Sequence, residues 1–153
     1  MANTYNQIFI HLVYGVKYRE GVILPSWRQQ LYEYTIGIIE KRGHKVYAIG
    51  GVQDHVHILV SMSPKQSISD LVMEVKRATS LWINQNRFVV GRFEWQEGFG
   101  AFSYGKSQVD KVVNYIHNQE EHHRKKTFRE EYIEFLKLFG IEYNEKYVFN
   151  DLA

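Results

Sequence analysis

Hydrophobic and polar residues alternate along residues 5–18, YNQIFIHLVYGVKY. A period of two predicts a strand with one buried side. The apolar side of this strand carries Ile8, Ile10, Leu12, Tyr14 and Val16, and the polar side carries Gln7, His11 and Lys17. A helical period then follows Pro25 and ends at Gly43, with Ser26 and Gln29 spaced as a capping box. Its apolar stripe, Trp27, Leu31, Tyr34 and Ile38, predicts the first helix.

Two short strands are predicted over residues 44–52 and 55–62, joined as a hairpin by Gln53 and Asp54. A second helix begins at Ser67, with its apolar stripe at Ile68, Leu71, Val72, Val75, Thr79 and Trp82. A Gly-rich aromatic loop leads into a fourth strand at 101–104, and helices follow at about 107–125 and 128–138.

This order of elements predicts an α+β fold of the ferredoxin-like, split βαβ and RRM-like kind. One face of the antiparallel sheet would be covered by helices, and the other would be open. We expect a single domain over residues 1–153, with a core at 1–126 and a C-terminal helix and acidic tail at 127–153.

The composition excludes several kinds of site. The chain has no cysteine, so disulfides, thiolate metal sites and cysteine nucleophiles are ruled out. No apolar run is long enough to span a bilayer and no signal peptide is visible, so we expect a cytosolic protein with no membrane partner.

The charge is unevenly spread. The net charge of +2 divides into +5 on residues 1–126, with 16 basic and 11 acidic side chains, and −3 on residues 127–153, with three basic and six acidic. A basic body is compatible with a surface that binds a polyanion, and an ordinary solvated surface is the alternative.

The stretch DHVHILV places His55 and His57 two residues apart in the third strand. Alternation sends both imidazoles to the same face, which we expect to be the open one, and they are close enough to bind one metal ion. The alternative is that both imidazoles form hydrogen bonds with backbone groups or water and bind no metal.

The third predicted helix carries Tyr115, Gln119 and His122 at positions i, i+4 and i+7, a quarter turn from its core stripe. The Tyr115 phenol and the Gln119 amide therefore lie on the same face of this helix. A tyrosine that flanks the core and bonds to its i+4 neighbour is the alternative.

Together these stretches resemble the single-tyrosine HUH transposases of the IS 200/605 family and their REP-associated relatives. The likeness rests on an ordered set of segments that covers nearly the whole chain: KYR, DHVHILVSMSP, EVKRATS, WQEGFGAFS, YIHNQEEHH and FREEY. The resemblance implies an endonuclease and strand transferase that acts on single-stranded DNA at hairpin-marked ends, through a 5′-phosphotyrosine. It also implies a homodimer whose active sites are shared between subunits.

Carried over by residue, the resemblance makes Tyr115 the nucleophile and His55, His57 and Gln119 the metal ligands. These three ligands are all neutral, and we expect them to hold Mg²⁺ or Mn²⁺: the amide oxygen of Gln119 suits Mg²⁺, and the two imidazoles move the preference toward Mn²⁺. His122 and His123 are left out of the predicted site. Candidate phosphate contacts are Lys17, Arg19, Lys76, Arg77 and Lys106.

Three alternatives stay open at this point. A host-domesticated relative would cut hairpins without mobilising itself, and a catalytically silent module would bind nucleic acid through the sheet. A small metal hydrolase ranks last, because such an enzyme usually needs a carboxylate as ligand or base and the predicted ligand set contains none. The aromatic run Phe93, Trp95, Phe99 and Phe102 fits either base stacking or core packing.

Overall fold

The computed structural model describes residues 4–144, except the side chain of Arg19. The acidic tail beyond Asn144 and the Arg19 phosphate contact therefore lie outside the described residues. The strands are β1 (Phe9–Gly15), β2 (Lys45–Val52), β3 (His55–Ser61) and β4 (Gly100–Tyr104). The helices are α1 (Pro25–Lys41), α2 (Ile68–Asn86), α3 (Val109–His117), α4 (Gln119–His122) and α5 (Phe128–Leu138).

The four strands form one antiparallel sheet in the order β2-β3-β1-β4. Pairing of Val52 with His55 leaves a two-residue turn between β2 and β3, so the predicted hairpin is confirmed. The α+β prediction and the ferredoxin-like sheet are confirmed as well. None of the helices in residues 4–144 has the length and apolar character that a membrane crossing requires.

The first sheet face packs on α1 and α2. The apolar side chains of β1 that alternation assigned to one face lie in this core, beside Leu31 of α1 and Val75 of α2. Helix α2 begins just after Ser67, as predicted, and Ser67 caps it: its hydroxyl accepts a hydrogen bond from the backbone N–H of Asp70 at 3.1 Å.

The start of α1 differs from the prediction. Pro25 is the first helical residue after Leu24, and no side chain caps this end, so Ser26 does not form a capping box. Proline fits the first turn because its missing N–H would have had no helical partner there. The buried stripe is also rotated: Tyr32 and Ile39 are buried, and Tyr34 is 39% exposed.

The second sheet face is covered, so the prediction of an open face is wrong. Val112 and Ile116 of α3 pack on Leu59 of β3, and Phe128 and Leu136 of α5 belong to a further cluster on the same face. The predicted third helix is broken at Asn118, where the backbone leaves helical geometry between α3 and α4. The C-terminal part of the chain thus forms a second helical layer.

Candidate metal centre and its tyrosine

Strand β3 sets the direction of the two predicted histidine ligands. His55 and His57 alternate with core residues, so both imidazoles leave the same sheet face, as predicted. That face lies under α3, α4 and α5, and both histidines are fully buried at 0% exposure. The pair is therefore enclosed by protein and does not lie on an open surface.

Each histidine of the pair is oriented by a neighbour on its Nδ1 side. Asp54 Oδ1 lies 2.7 Å from His55 Nδ1, and His11 Nε2 of β1 lies 2.8 Å from His57 Nδ1. A hydrogen bond on Nδ1 fixes the ring and makes Nε2 the atom that faces the rest of the cluster. Phe128 stacks on the His55 ring with a centroid separation of 4.0 Å and holds its plane.

A carboxylate from α5 lies where the two Nε2 atoms converge. Glu131, 1% exposed, places Oε1 at 2.9 Å from His57 Nε2 and 3.3 Å from His55 Nε2. His123 Nε2 lies 3.1 Å from the same oxygen. One ligand atom from each of His55, His57, His123 and Glu131 falls within 4.8 Å of the others, which is a spacing that one metal ion can bridge.

The prediction that only neutral side chains accompany the histidines is wrong. Glu131 lies more than seventy residues after His57 in sequence, and only the packing of α5 on the sheet brings its carboxylate to the pair. The segment FREEY that contains it was part of the resemblance, but nothing in its local pattern marks this glutamate as buried. His11 and Asp54 were also missed, although alternation puts His11 on the polar side of β1 and Asp54 directly precedes His55.

Gln119, the predicted third ligand, is also part of this cluster. Its Oε1 lies 3.0 Å from His55 Nε2, and its amide nitrogen donates to Glu131 Oε2 at 3.1 Å. The residue is 1% exposed and belongs to α4, just after the break at Asn118. The break turns the chain so that Gln119 faces the histidines from one side while Tyr115 faces them from another.

The Tyr115 phenol lies in the same cluster, within one chain. Its hydroxyl donates to Glu131 Oε2 and lies 3.2 Å from His122 Nε2. Backbone contact between α3 and β2 fixes its helix, because a Cβ on Gly50 would lie only 2.5 Å from the carbonyl oxygen of Ile116. Burial and the charge of Glu131 raise the pKa of the Tyr115 phenol well above its usual range, so the hydroxyl keeps its proton at neutral pH.

The electrostatics of the cluster are dominated by Glu131. Burial works against its charge, but the hydrogen bonds from the imidazoles of His123, His55 and His57 hold the pKa of this carboxyl far below its usual range. Burial lowers the pKa of His57 to about 4. Burial also acts to lower the pKa of His55, but its bonds to Asp54 and Glu131 outweigh that and raise it to about 8. One negative carboxylate therefore faces a set of imidazoles of which His57 stays neutral.

The predicted phosphate contacts do not gather at this site. The Lys17 ammonium pairs with Glu94 at 3.2 Å. The Lys76 ammonium donates to the backbone carbonyl oxygens of Gln96 and Gly98, and burial lowers its pKa to about 8. The side chain of Lys76 thus ties α2 to the aromatic loop.

Arg77 and Lys106 are exposed, on α2 and before α3, and their roles stay predictions. Of the aromatic run, Phe93, Trp95 and Phe102 are buried in the cores, which agrees with the packing alternative.

The chain is similar to known proteins of one family. A family model described as "Transposase IS200 like" matches residues 4–119. The ISDra2 transposase TnpA of Deinococcus radiodurans is 34% identical over 74 residues, which span 48% of this chain and 53%, about half, of that protein. The transposase for insertion sequence element IS200 of Salmonella typhimurium is 25% identical over 126 residues, 79% of this chain and 82% of that protein.

Among solved structures, a REP-associated tyrosine transposase bound to a REP hairpin superposes with a TM-score of 0.61 at 16% identity. This likeness covers 80% of this chain and 73% of that one, and at this identity it speaks for the fold alone. The match to the family model extends over more than half of the sequence and includes the histidine pair, Tyr115 and Gln119. The chain therefore belongs to the family of IS200-like transposases.

Proposed function

We propose that this transposase is a metal-dependent enzyme that cleaves and rejoins single-stranded DNA, with Tyr115 as its nucleophile. One observation carries the proposal. The Tyr115 hydroxyl and the His57 imidazole contact the two oxygens of the same carboxylate, Glu131. A nucleophile and a set of metal ligands thus belong to one cluster, as phosphoryl transfer to a phenol requires.

The donor atoms fit a divalent cation. His55 Nε2, His57 Nε2 and Glu131 would hold it, with Gln119 Oε1 and His123 Nε2 beside them. Carboxylate and amide oxygens suit Mg²⁺, and imidazoles move the preference toward Mn²⁺ and its neighbours. With three imidazoles around one carboxylate, we favour Mn²⁺ over Mg²⁺. When bound, such an ion polarises a phosphate and stabilises charge that develops on its oxygens.

The chain itself supplies the nucleophile and a proton acceptor. Tyr115 attacks the scissile phosphorus through its oxygen, the bond from phosphorus to the 3′ oxygen breaks, and the 5′ phosphate stays on the tyrosine. Glu131 Oε2 already accepts the hydrogen bond from this hydroxyl and takes its proton as the new bond forms. That proton then passes to the departing 3′ oxygen, so the cleaved strand ends in a 3′ hydroxyl and Glu131 is a carboxylate again. A second 3′ hydroxyl can reverse the step: it attacks the phosphotyrosine, Tyr115 regains its proton, and a new strand is joined.

The substrate we propose is DNA with a hairpin beside the cleavage position. The family is one of transposases, and one structural relative was solved with a REP hairpin bound. We carry this hairpin substrate over to the present chain as part of the proposal. A single strand beside the hairpin leaves the scissile phosphate free to enter a site that is enclosed on most sides.

The test uses labelled single-stranded hairpin oligonucleotides from the DNA that flanks the coding region, with Mn²⁺ or Mg²⁺ added. A covalent adduct is expected as a band of retarded mobility in a denaturing gel. Tyr115→Phe should abolish the adduct and retain DNA binding. Tyr47→Phe, at a tyrosine 40% exposed on β2, is the matched control and should form the adduct normally. An undiminished adduct in Tyr115→Phe would assign the nucleophile to another residue.

We also propose that the enzyme is a homodimer in which each subunit uses its own tyrosine. The contact between Tyr115 and Glu131 within one chain supports this arrangement. Sedimentation measures the oligomeric state. Mixing Tyr115→Phe with His57→Ala should not restore the adduct, whereas restoration would show that the tyrosine of one subunit serves the histidines of the other.

A further inference from the structure

Among the residues that the structure describes, the cluster around the metal ligands is exposed to solvent on the side of Tyr115 and His122. His55, His57, Gln119 and Glu131 are each at most 1% exposed. Tyr115 and His122 are partly exposed, and the His122 side chain is 27% exposed. A DNA strand therefore meets the nucleophile on the face that these two residues share.

Two depressions of different chemistry adjoin on that face, and Tyr115 and His122 line both. The first is a cleft of about 300 Å³ between α3 and α5, with mostly aromatic and aliphatic walls. Tyr104 and Phe135 supply its ring surfaces, and Leu138, 75% exposed, forms its rim. We call it the aromatic cleft.

The second depression, of about 660 Å³, carries more cationic side chains than anionic ones. Lys125 and Lys126 line it together with Asn118 and one acidic residue, Glu121. Lys126 pairs with Glu134 at 2.6 Å, and Lys125 is exposed. Lysines bind backbone phosphates as point charges, so this side suits the charged part of a DNA strand.

A nucleotide matches these two depressions, because it has a flat base that stacks on aromatic side chains and a charged phosphate that lysines bind. We propose that the aromatic cleft binds the nucleobase on the 3′ side of the scissile phosphate, while the lysine side holds the sugar–phosphate backbone. This inference rests on the proposed function, in which the 5′ phosphate of that nucleotide becomes attached to Tyr115. The attachment tethers its base next to a cleft that Tyr115 itself lines.

The size and the walls of the cleft agree with this ligand. A volume of about 300 Å³ lies at the small end of known ligand sites and admits a single base with its sugar. The rings of Tyr115 and Phe135 stand nearly perpendicular, with centroids 5.7 Å apart, and form a corner beside the phenol oxygen. Most of the exposed wall is apolar, although Lys111, Glu131 and Glu134 also line the cleft. The base would therefore be held mainly by stacking and by shape.

The test uses the covalent adduct itself. Hairpin oligonucleotides carry the fluorescent base 2-aminopurine at the first, second or third nucleotide 3′ of the scissile phosphate, and acrylamide quenching measures how exposed that base is. In the adduct, the first position should be quenched roughly threefold or more weakly than the third, because it is enclosed by the cleft.

Leu138→Glu should expose the base at the first position again, since it puts a carboxylate at the rim of the cleft. The matched control is Leu81→Glu on α2, where the leucine is also exposed, at 57%, and lines no part of the cleft. Both substitutions are at exposed positions, so both variants should fold. Quenching is measured on purified adduct, so a lower adduct yield in Leu138→Glu does not affect the comparison.

Two failures are distinguishable. If wild-type protein forms no adduct with any flanking hairpin, the proposed function fails and the base site fails with it. If the adduct forms but all three positions are quenched equally, or Leu138→Glu and Leu81→Glu behave alike, the base site is refuted and the proposed function stands.

Discussion

Replacing Glu131 with glutamine removes the charge at the centre of the cluster and preserves the shape of the side chain. Three imidazole nitrogens lie within 3.3 Å of Oε1, at 2.9 Å for His57, 3.1 Å for His123 and 3.3 Å for His55. A hydrogen bond to a charged group is worth about 1 kcal/mol more than a neutral one. The lost charge therefore costs about 3 kcal/mol, and cheaper burial of the amide offsets part of it.

We expect Glu131→Gln to lower the free energy of unfolding of the metal-free protein by about 2 kcal/mol, or the Tm by about 4–8 °C. Thermal unfolding in EDTA at pH 7 measures this. Glu134→Gln is the matched control, because Glu134 is on the same helix with its side chain 55% exposed and paired with Lys126. Its Tm should change little. If the Tm of Glu131→Gln equals or exceeds that of the wild type, burial of the carboxylate destabilises the protein by more than its imidazole contacts stabilise it.

Four further results are expected. The pKa of His55 is about 8 in the folded protein and 6.5 in the unfolded chain, so the free energy of unfolding of the metal-free protein should fall by about 2 kcal/mol as pH rises from 6.5 through 8. Urea titrations measure this decrease, and it should be smaller in Asp54→Asn. His57 has a folded pKa of about 4, below its unfolded value of 6.5, so its contribution to stability falls as pH drops below 6.5. The free energy of unfolding should therefore be highest near pH 6.5. Gly50→Ala should lower the free energy of unfolding by about 1–3 kcal/mol and reduce the adduct yield, because the new methyl group would lie 2.5 Å from the Ile116 carbonyl oxygen. An unchanged Tm would contradict that close approach. Mn²⁺ should raise the Tm of the wild-type protein and not that of His57→Ala, and an equal rise in both would exclude the histidine pair as its site.

Most elements of the fold were predictable because their signals are local. The alternation in β1 and β3, the Ser67 cap and the two-residue hairpin depend on neighbours in sequence, and each agrees with the structure. The errors occurred where local signals compete. Ser26 has the spacing of a capping box, but Pro25 begins the helix, and the regular stripe through Tyr115 and Gln119 conceals a break at Asn118.

The sequence by itself determined which sheet face carries His55 and His57, because strand alternation depends only on the chain, and its motifs pointed to the family. The tertiary structure decided that this face is closed and that Glu131 lies between the histidines and Tyr115. Those contacts join residues up to 74 positions apart. Their formation depends on how α5 packs against the sheet, and that packing follows from the shape of the whole core, which no local pattern of residues records.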